Sequence, residues 1–308
     1  MPPLLAIEIG GTKLQIVTGD GTGIIQERHR FSVSKAQGAG GIRRQIETTL
    51  QGICGKIKPA AMGVGFGGPV NRPTGRIACS HQIEGWSDFP LAEWLHSLTS
   101  APVFVDNDAN VAALGEAVHG AGQGFNPVFY VTLGSGVGGG LVVNGALFHG
   151  AIPGESEIGH LRLDKSGTLL ESRCSGWAVD RKIQEAIKTH SDGVLAHLCG
   201  NKNEGGEAKF LKAALEKKDP VAERILTETA EDLAFGLSHV VHLQHPQIVV
   251  LGGGLSLVGV PLRGAVEQMM PRFLMEVFLP GPNVVLAALG EDAVPVGALE
   301  LARQGLAL

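Results

Sequence analysis

Leu4-Leu5-Ala6-Ile7-Glu8-Ile9-Gly10-Gly11-Thr12-Lys13 is a short apolar run that stops at two glycines. Val128-Phe129-Tyr130-Val131-Thr132-Leu133-Gly134-Ser135-Gly136 repeats that device further along the chain. An apolar run of this length bounded by glycine reads as a buried strand. Lys13–Thr18 and Gly140–Val143 then read as the strands that follow the two glycine turns. Working outward, the order strand–strand–strand–helix–strand–helix–strand–helix begins once at residue 4 and again at residue 128. The pattern predicts an α/β chain of two similar domains facing each other across a cleft. The expected division is residues 1–120 with the closing helix 291–308, and residues 121–290.

The remaining elements follow from periodicity and punctuation. Ile24–Phe31 reads as a third strand, and Ile42, Ile46, Leu50 and Ile53 fall at helical spacing within 40–54. Met62–Phe66 is a strand that ends at Gly67-Gly68-Pro69. Leu91–Leu98 is a helix, Val103–Val105 a strand, and Asp108–Val118 a helix capped by Asn107 or Asp108. In the second half, helices are expected at 175–189, 206–216, 219–243 and 260–276, with strands at Gln247–Leu251 and Asn283–Ala287 and a closing helix at 292–306. The polar segment 191–207 reads as a mobile loop.

Composition narrows the class. Apolar residues are 44% and charged residues 18%, which fits neither a disordered chain nor a coiled coil. Glycine is the outlier at 45 of 308, roughly twice the usual ~7%. A net charge of −5 gives no basic surface for nucleic acid or an anionic membrane. Four scattered cysteines without a CxxC pair point to a reducing compartment, and Glu8 interrupts the only apolar run near the start, so no signal peptide is expected. Residues 128–149 lack charge, but their glycines suit two strands better than a membrane helix. The expectation is a cytoplasmic chain.

Several stretches can carry chemistry. A turn stripped of side chains presents successive backbone N–H groups, and such nests bind phosphate oxygens. Gly10-Gly11-Thr12-Lys13 adds a hydroxyl and an ammonium, and Gly134-Ser135-Gly136 adds a hydroxyl. Either alone reads first as an ordinary turn; the two together, each opening a similar strand set, favour phosphate. Asp106-Asn107-Asp108 stands where a strand gives way to a helix, a place for a carboxylate to take a proton from an alcohol or simply to cap the helix. The helix N-terminus would favour the charged form of Asp108. Gly154-Glu155-Ser156-Glu157-Ile158-Gly159-His160, with Glu171 beyond it, offers acidic groups and an imidazole for vicinal hydroxyls, or forms a solvated turn. Ile248–Leu251 runs into Gly252-Gly253-Gly254, where a flat ring could lie against backbone.

In this order the segments resemble the ROK family of sugar kinases, within the hexokinase–actin superfamily. The resemblance rests on Ile9–Lys13, Gly67-Gly68-Pro69-Val70, Gly85-Trp86, Asn107-Asp108-Ala109-Asn110, Leu133–Gly140, Glu157–His160, Glu171 with Ser175-Gly176, and Leu251–Gly254. It implies two ribonuclease-H-like (actin-like ATPase) domains with sugar and nucleotide in a central cleft. It further implies ATP-dependent phosphorylation of a hexose, glucose-like or N-acetylated, at a primary hydroxyl. Asp108 would be the catalytic base. Gly68, Asn107, Glu157, His160 and Glu171 would bind sugar. Gly10, Gly11, Thr12, Lys13, Gly134, Ser135 and Gly136 would line the phosphates, and Gly252, Gly253 and Gly254 the adenosine. Mg²⁺ would arrive with ATP and reach Glu8 through water; a homodimer is the implied assembly.

Three departures from the family pattern stand out. Glu8 occupies the usual place of Asp, and Ser135 that of Thr. The third is larger: Leu161–Leu170 contains no cysteine where most members carry a zinc site, so no structural zinc is expected. Placing His160 and Glu171 must then fall to packing and hydrogen bonds. A sugar-responsive repressor is disfavoured because the first glycine turn begins at Gly10. A non-catalytic sugar-binding regulator is disfavoured by Asp108 and both glycine turns. A polyphosphate-dependent glucokinase remains the alternative donor chemistry, against which the acidic net charge stands.

Overall fold

A computed structural model describes residues 2–80, 83–152, 156–200 and 205–307. The chain begins with β1 (Leu4–Ile9), β2 (Lys13–Gly19), β3 (Ile25–Ser32), α1 (Gly38–Cys54) and β4 (Ala61–Phe66). A small hairpin, β5 (Val70–Asn71) and β6 (Arg76–Ile77), precedes α2 (Leu91–Thr99), β7 (Val103–Asn107) and α3 (Asp108–His119). Then come β8 (Val128–Leu133), β9 (Val137–Val143) and β10 (Ala146–Leu147), followed by α4 (Leu170–Cys174), α5 (Gly176–Thr189), α6 (Val194–Cys199), α7 (Leu211–Glu216) and α8 (Pro220–Gln244). The last elements are β11 (Ile248–Gly252), α9 (Val260–Met269), β12 (Asn283–Leu286) and α10 (Ala293–Leu306).

Two five-stranded sheets result, ordered β3-β2-β1-β4-β7 and β10-β9-β8-β11-β12. The first three strands of each set neighbour one another and the next two follow on the other side, so both sheets share one topology, the ribonuclease-H-like order. The repeat legible at residues 4 and 128 is therefore a repeat of sheet order. The chain divides into two compact units, one of Met1–Gly124, Gly140–Ser156 and Ala288–Leu308, the other of Phe125–Gly139 and Glu157–Ala287.

Strand β1 shows why the first unit closes as it does. It is buried on both faces, as a central strand flanked by a parallel neighbour must be. Leu5, Ile7 and Ile9 pack with Ile42, Ile46, Leu50 and Ile53 of α1 and with Leu91 and Leu95 of α2. Leu4 and Ala6 pack the other way, with Val111 of α3 and Ala298, Leu299 and Ala302 of α10. Each such leucine or isoleucine contributes about 1.5–3 kcal/mol on burial. Helix α10 approaches closely through glycine: a Cβ on Gly297 would collide with the Val111 carbonyl, and one on Gly63 with that of Ala298.

Some elements differ from expectation. The helix expected over 260–276 stops at Met269, and Met270–Phe273 tightens into a 3₁₀ turn. Pro271 lies in that turn; it lacks an N–H and its ring crowds the preceding turn. The segment 191–207 holds helix α6, whose Leu195 N–H donates to Asp219 at 2.9 Å; residues 201–204 of it lie outside the described residues. The same Asp219 caps α8, accepting from Val221 N at 2.8 Å and Ala222 N at 2.9 Å, with Pro220 at the first helical position. Among the described residues, no helix is long and apolar enough to cross a membrane.

One buried charge ties α10 to α3. Glu300 has no exposed side-chain surface. It accepts from Arg303 Nε at 2.7 Å and Nη2 at 2.6 Å, from Gln304 at 2.7 Å, and meets His119 Nε2 at 3.3 Å. Burial pushes its carboxyl up, but the bonds from Arg303, His119 and Gln304 outweigh that and hold it down at about 2. A carboxyl more acidic in the folded chain stabilises fully above its unfolded value, 4.5, and loses that stabilisation as pH falls toward 2. Glu300→Gln is therefore expected to cost about 2–3 kcal/mol at neutral pH. In urea unfolding, the gap between native and variant should be smaller at pH 3.5 than at pH 6. A gap independent of pH would show that the charge of Glu300 does not stabilise this contact.

Candidate functional site

The first unit gathers its candidate residues at the carboxyl end of β7. Asn107 is the cap of α3, its Oδ1 accepting from Ala109 N at 2.8 Å and Asn110 N at 3.4 Å. That settles the cap left open between Asn107 and Asp108, and makes Asp108 the first helical residue. Asn107 Nδ2 donates to the Gly68 carbonyl at 3.3 Å. Gly67 N donates to Ile9 O at 2.9 Å, and a Cβ on Gly67 would lie 3.3 Å from Asp108 Oδ2 and 3.7 Å from Gly10 Cα. Asp108, Gly67, Gly68 and Gly10 are thus brought together. The first glycine turn closes where Gly10 N donates to Lys13 O at 2.9 Å.

Glu8 does not stand alone beside that turn. Its Oε1 pairs with Lys13 Nζ at 3.0 Å, and its Oε2 accepts from the buried Gln15 amide at 2.7 Å. Burial pushes the Glu8 carboxyl up, and Lys13 and Gln15 pull it partly back.

A second set of contacts at the end of β7 was assigned no role in the sequence reading. Buried Asp106 accepts at Oδ1 from Asn107 N at 2.8 Å and from Asn110 Nδ2 at 2.9 Å. Its Oδ2 meets His149 Nε2 at 2.7 Å, and His149 Nδ1 in turn meets Arg72 Nη1 at 2.6 Å. Asp106 was visible in sequence inside the Asp-Asn-Asp run, whereas nothing local marked His149 or Arg72 as its partners.

In the second unit the glycine turn 134–136 is the hub. Gly134 N donates to Gly136 O at 2.9 Å, and Gly176 N donates to Gly134 O at 2.7 Å. Glu171 Oε2 accepts from Val137 N at 2.8 Å, and a Cβ on Gly136 would collide with that carboxylate. A Cβ on Gly253 would in turn press on the backbone of Leu133. So Gly134–Gly136, Glu171 and the start of Gly252–Gly254 lie together. Ile158–His160 forms a 3₁₀ turn whose Gly159 packs on the Val137 carbonyl, with Glu157 and His160 exposed. Gly154 and Glu155 lie outside the described residues.

The cysteine-free run Leu161–Leu170 is a hydrogen-bonded hairpin. Arg162 bridges Leu169, Leu163 N donates to Thr168 O at 2.8 Å, and Leu170 N donates to Leu161 O at 2.9 Å. Asp164 closes its tip, accepting from Ser166 Oγ at 2.5 Å and Gly167 N at 2.9 Å, and these bonds with Thr168 hold its carboxyl well below the usual range. The hairpin joins the His160 turn to Glu171 through main-chain bonds and the Asp164 turn. Among the described residues, no cluster of three or more His, Cys, Asp or Glu side chains could hold a metal ion.

A cavity of about 460 Å³ opens beside the hub. Leu133–Ser135, Gly176, Gly254, Leu255 and Val258 form one part of its wall, with Trp177, Lys209 and Lys212 among the rest. The combination of glycine backbone, an aromatic face and two ammonium groups can hold a flat ring attached to an anion. Sequence reasoning placed the glycines here but missed Trp177 and both lysines, which lie on helical segments without a motif.

The model of the ROK family matches residues 4–305. The glucokinase of Halalkalibacterium halodurans is 32% identical, the match covering 97% of this chain and 94% of that protein. The glucokinase of Thermotoga maritima is 31% identical over 98% of this chain and 97% of its own. Among solved structures, a ROK family glucokinase from Streptomyces griseus in complex with glucose and AMPPNP superposes with a TM-score of 0.86 at 30% identity, covering 98% of this chain and all of that one.

Trp177 is 56% exposed at the cavity, whereas Trp86 is buried. Adding a non-hydrolysable ATP analogue is expected to quench tryptophan emission, and Trp177→Phe to abolish that response. Quenching that survives in the variant would place the nucleotide elsewhere.

Proposed function

The chain belongs to the ROK family and is a sugar kinase of the hexokinase type, and from that premise we propose the reaction and its residues. The donor is ATP and the acceptor the primary hydroxyl of a hexose, either glucose or an N-acetylated amino sugar. Asp108 is the general base. The observation that carries this reading is the position of Asp108: first residue of α3, beside Gly67 and within reach of the Gly10 turn.

Phosphoryl transfer leaves the protein little covalent work, so positioning and charge dominate. Asp108 takes the proton as the hydroxyl oxygen attacks the γ-phosphorus and the bond to the β–γ bridging oxygen breaks, that oxygen leaving with ADP. Asn107, Glu157, His160 and Glu171, with the Gly68 backbone, hold the other hydroxyls. The Val137 N–H fixes one oxygen of Glu171 and leaves the other for a hydroxyl. Gly10 N–H and Gly134 N–H close their turns on Lys13 O and Gly136 O. The amides of Gly11–Lys13 and of Ser135 and Gly136 therefore hold phosphate oxygens in the turns they shape, and Gly252–Gly254 lie against the adenosine, a reading supported by the adjoining cavity. The domains proposed are residues 1–120 with 291–308, and residues 121–290.

Mg²⁺ brought by ATP would offset charge on the phosphate oxygens. Glu8 fits an outer role toward it. Each carboxylate oxygen, though engaged by Lys13 or Gln15, keeps a lone pair for a metal-bound water. Zinc has no place in this reading, because the hairpin 161–170 closes by hydrogen bonds; metal analysis of the purified chain should find none in stoichiometric amount.

Asp108→Asn keeps size and hydrogen bonding but loses the base. It is expected to lower turnover by about 10²–10⁴-fold, with hexose binding near native by calorimetry. The test is hexose-phosphate formation over a panel of hexoses, with ATP and polyphosphate as rival donors. Native turnover in the variant would end the assignment of Asp108, and better use of polyphosphate than ATP would end that of the donor.

A further inference from the structure

We propose that Arg72, His149 and Asp106 form a positioning relay that sets the angle at which Asn107 and Asp108 leave strand β7. The inference rests on Asp108 being the base. None of the three residues touches the reacting groups in the mechanism above; they act through the backbone and side chain of Asn107.

The chemistry of the donors fixes the direction of the relay. A guanidinium has donors only, so Arg72 Nη1, 2.6 Å from His149 Nδ1, must donate to it. The ring proton then sits on Nε2, which donates to Asp106 Oδ2 at 2.7 Å. Asp106 Oδ1 already accepts from Asn107 N at 2.8 Å and Asn110 Nδ2 at 2.9 Å. With three donors on two oxygens, the carboxylate is held against rotation. Its side chain is 3% exposed and that of His149 9%, so water cannot freely substitute for either partner. A buried carboxylate that loses a donor must rotate or recruit water.

Rotation of Asp106 has a defined consequence. It would withdraw Oδ1 from the Asn107 amide and from Asn110, which lie on the two sides of Asp108. Asn107 also caps α3 and donates to Gly68 at 3.3 Å, so the cap and the Gly67–Gly68 turn would shift with it. The three residues come from separate places: Arg72 follows β5, Asp106 lies in β7, and His149 follows β10. Such convergence exceeds what capping one helix requires. It fastens two loops of the first unit to the strand end that carries the base.

The test compares His149→Ala, His149→Gln and Asp108→Asn in the full chain, with circular dichroism and thermal midpoint as controls for folding. A misplaced catalytic group can cost about 10²-fold, so His149→Ala should lower kcat by about 10- to 100-fold, with the hexose KM rising as Asn107 and Gly68 shift and the ATP KM little changed. His149→Gln, whose amide can donate to Asp106, should recover most of that loss. Native kcat in His149→Ala, a loss that glutamine does not relieve, or a loss expressed in the ATP KM alone would each overturn the relay. Asp108→Asn separates the two readings. If it is inactive while His149→Ala turns over normally, only the relay fails; if it stays active, the base assignment fails.

Discussion

Leu4 and Ala6 leave β1 on one side and Leu5, Ile7 and Ile9 on the other, and the first unit depends on covering both sets. Helices α1 and α2 cover one face. The other is covered by α3 together with α10, which the chain supplies only at its end. Glycines at 63 and 297 let α10 settle on the sheet and on α3 at backbone contact distance. Helix α3 is therefore held along its length, and its first turn can present Asp108 without drifting. The chemistry proposed at the strand ends would then be a by-product of how the strand middles are buried. Ligand sites at the carboxyl ends of parallel strands are the general rule for such sheets.

Much of this was legible because burial on both faces writes continuous apolar runs. Leu4–Ile9, Val128–Leu133 and Ile248–Leu251 could be read directly, as could the glycine stops after them. The doubled order of elements followed from recurrence, and the ribonuclease-H-like fold from the family resemblance. What the sequence concealed was held by contacts between distant residues. Asp106 stood in view within the Asp-Asn-Asp run, but His149 and Arg72 reach it from loops whose composition says nothing about their destination. Trp177, Lys209 and Lys212 meet at the cavity from separate helical segments. Local rules also failed in small ways. Pro271 ended a helix that apolar spacing had carried to 276, and Asp219 anchored a helix inside a segment polar enough to read as loop.

The run from Leu161 to Leu170 illustrates how one geometry can be reached by different means. In the proposed sugar site, the turn holding Glu157 and His160 must stand in a fixed relation to Glu171. Here a ladder of main-chain bonds and an aspartate at the hairpin tip meet that requirement. Glu171 is fixed again from the other side by the Val137 amide and by the glycine that leaves it room. Rigidity of this kind is distributed over several weak bonds of about 0.5–1.5 kcal/mol each.

The pairing of Lys13 with Glu8 has a consequence for how an anion finds the first glycine turn. An ammonium 3.0 Å from a carboxylate is close to a dipole when seen from outside. Its field dies away over a few ångströms, well inside the ~8–10 Å over which salt screens exposed charge. This turn therefore casts no long-range lure for polyanions passing in solution. If the turn holds phosphate as proposed, recognition there begins only on contact with its backbone, so shape is read before charge.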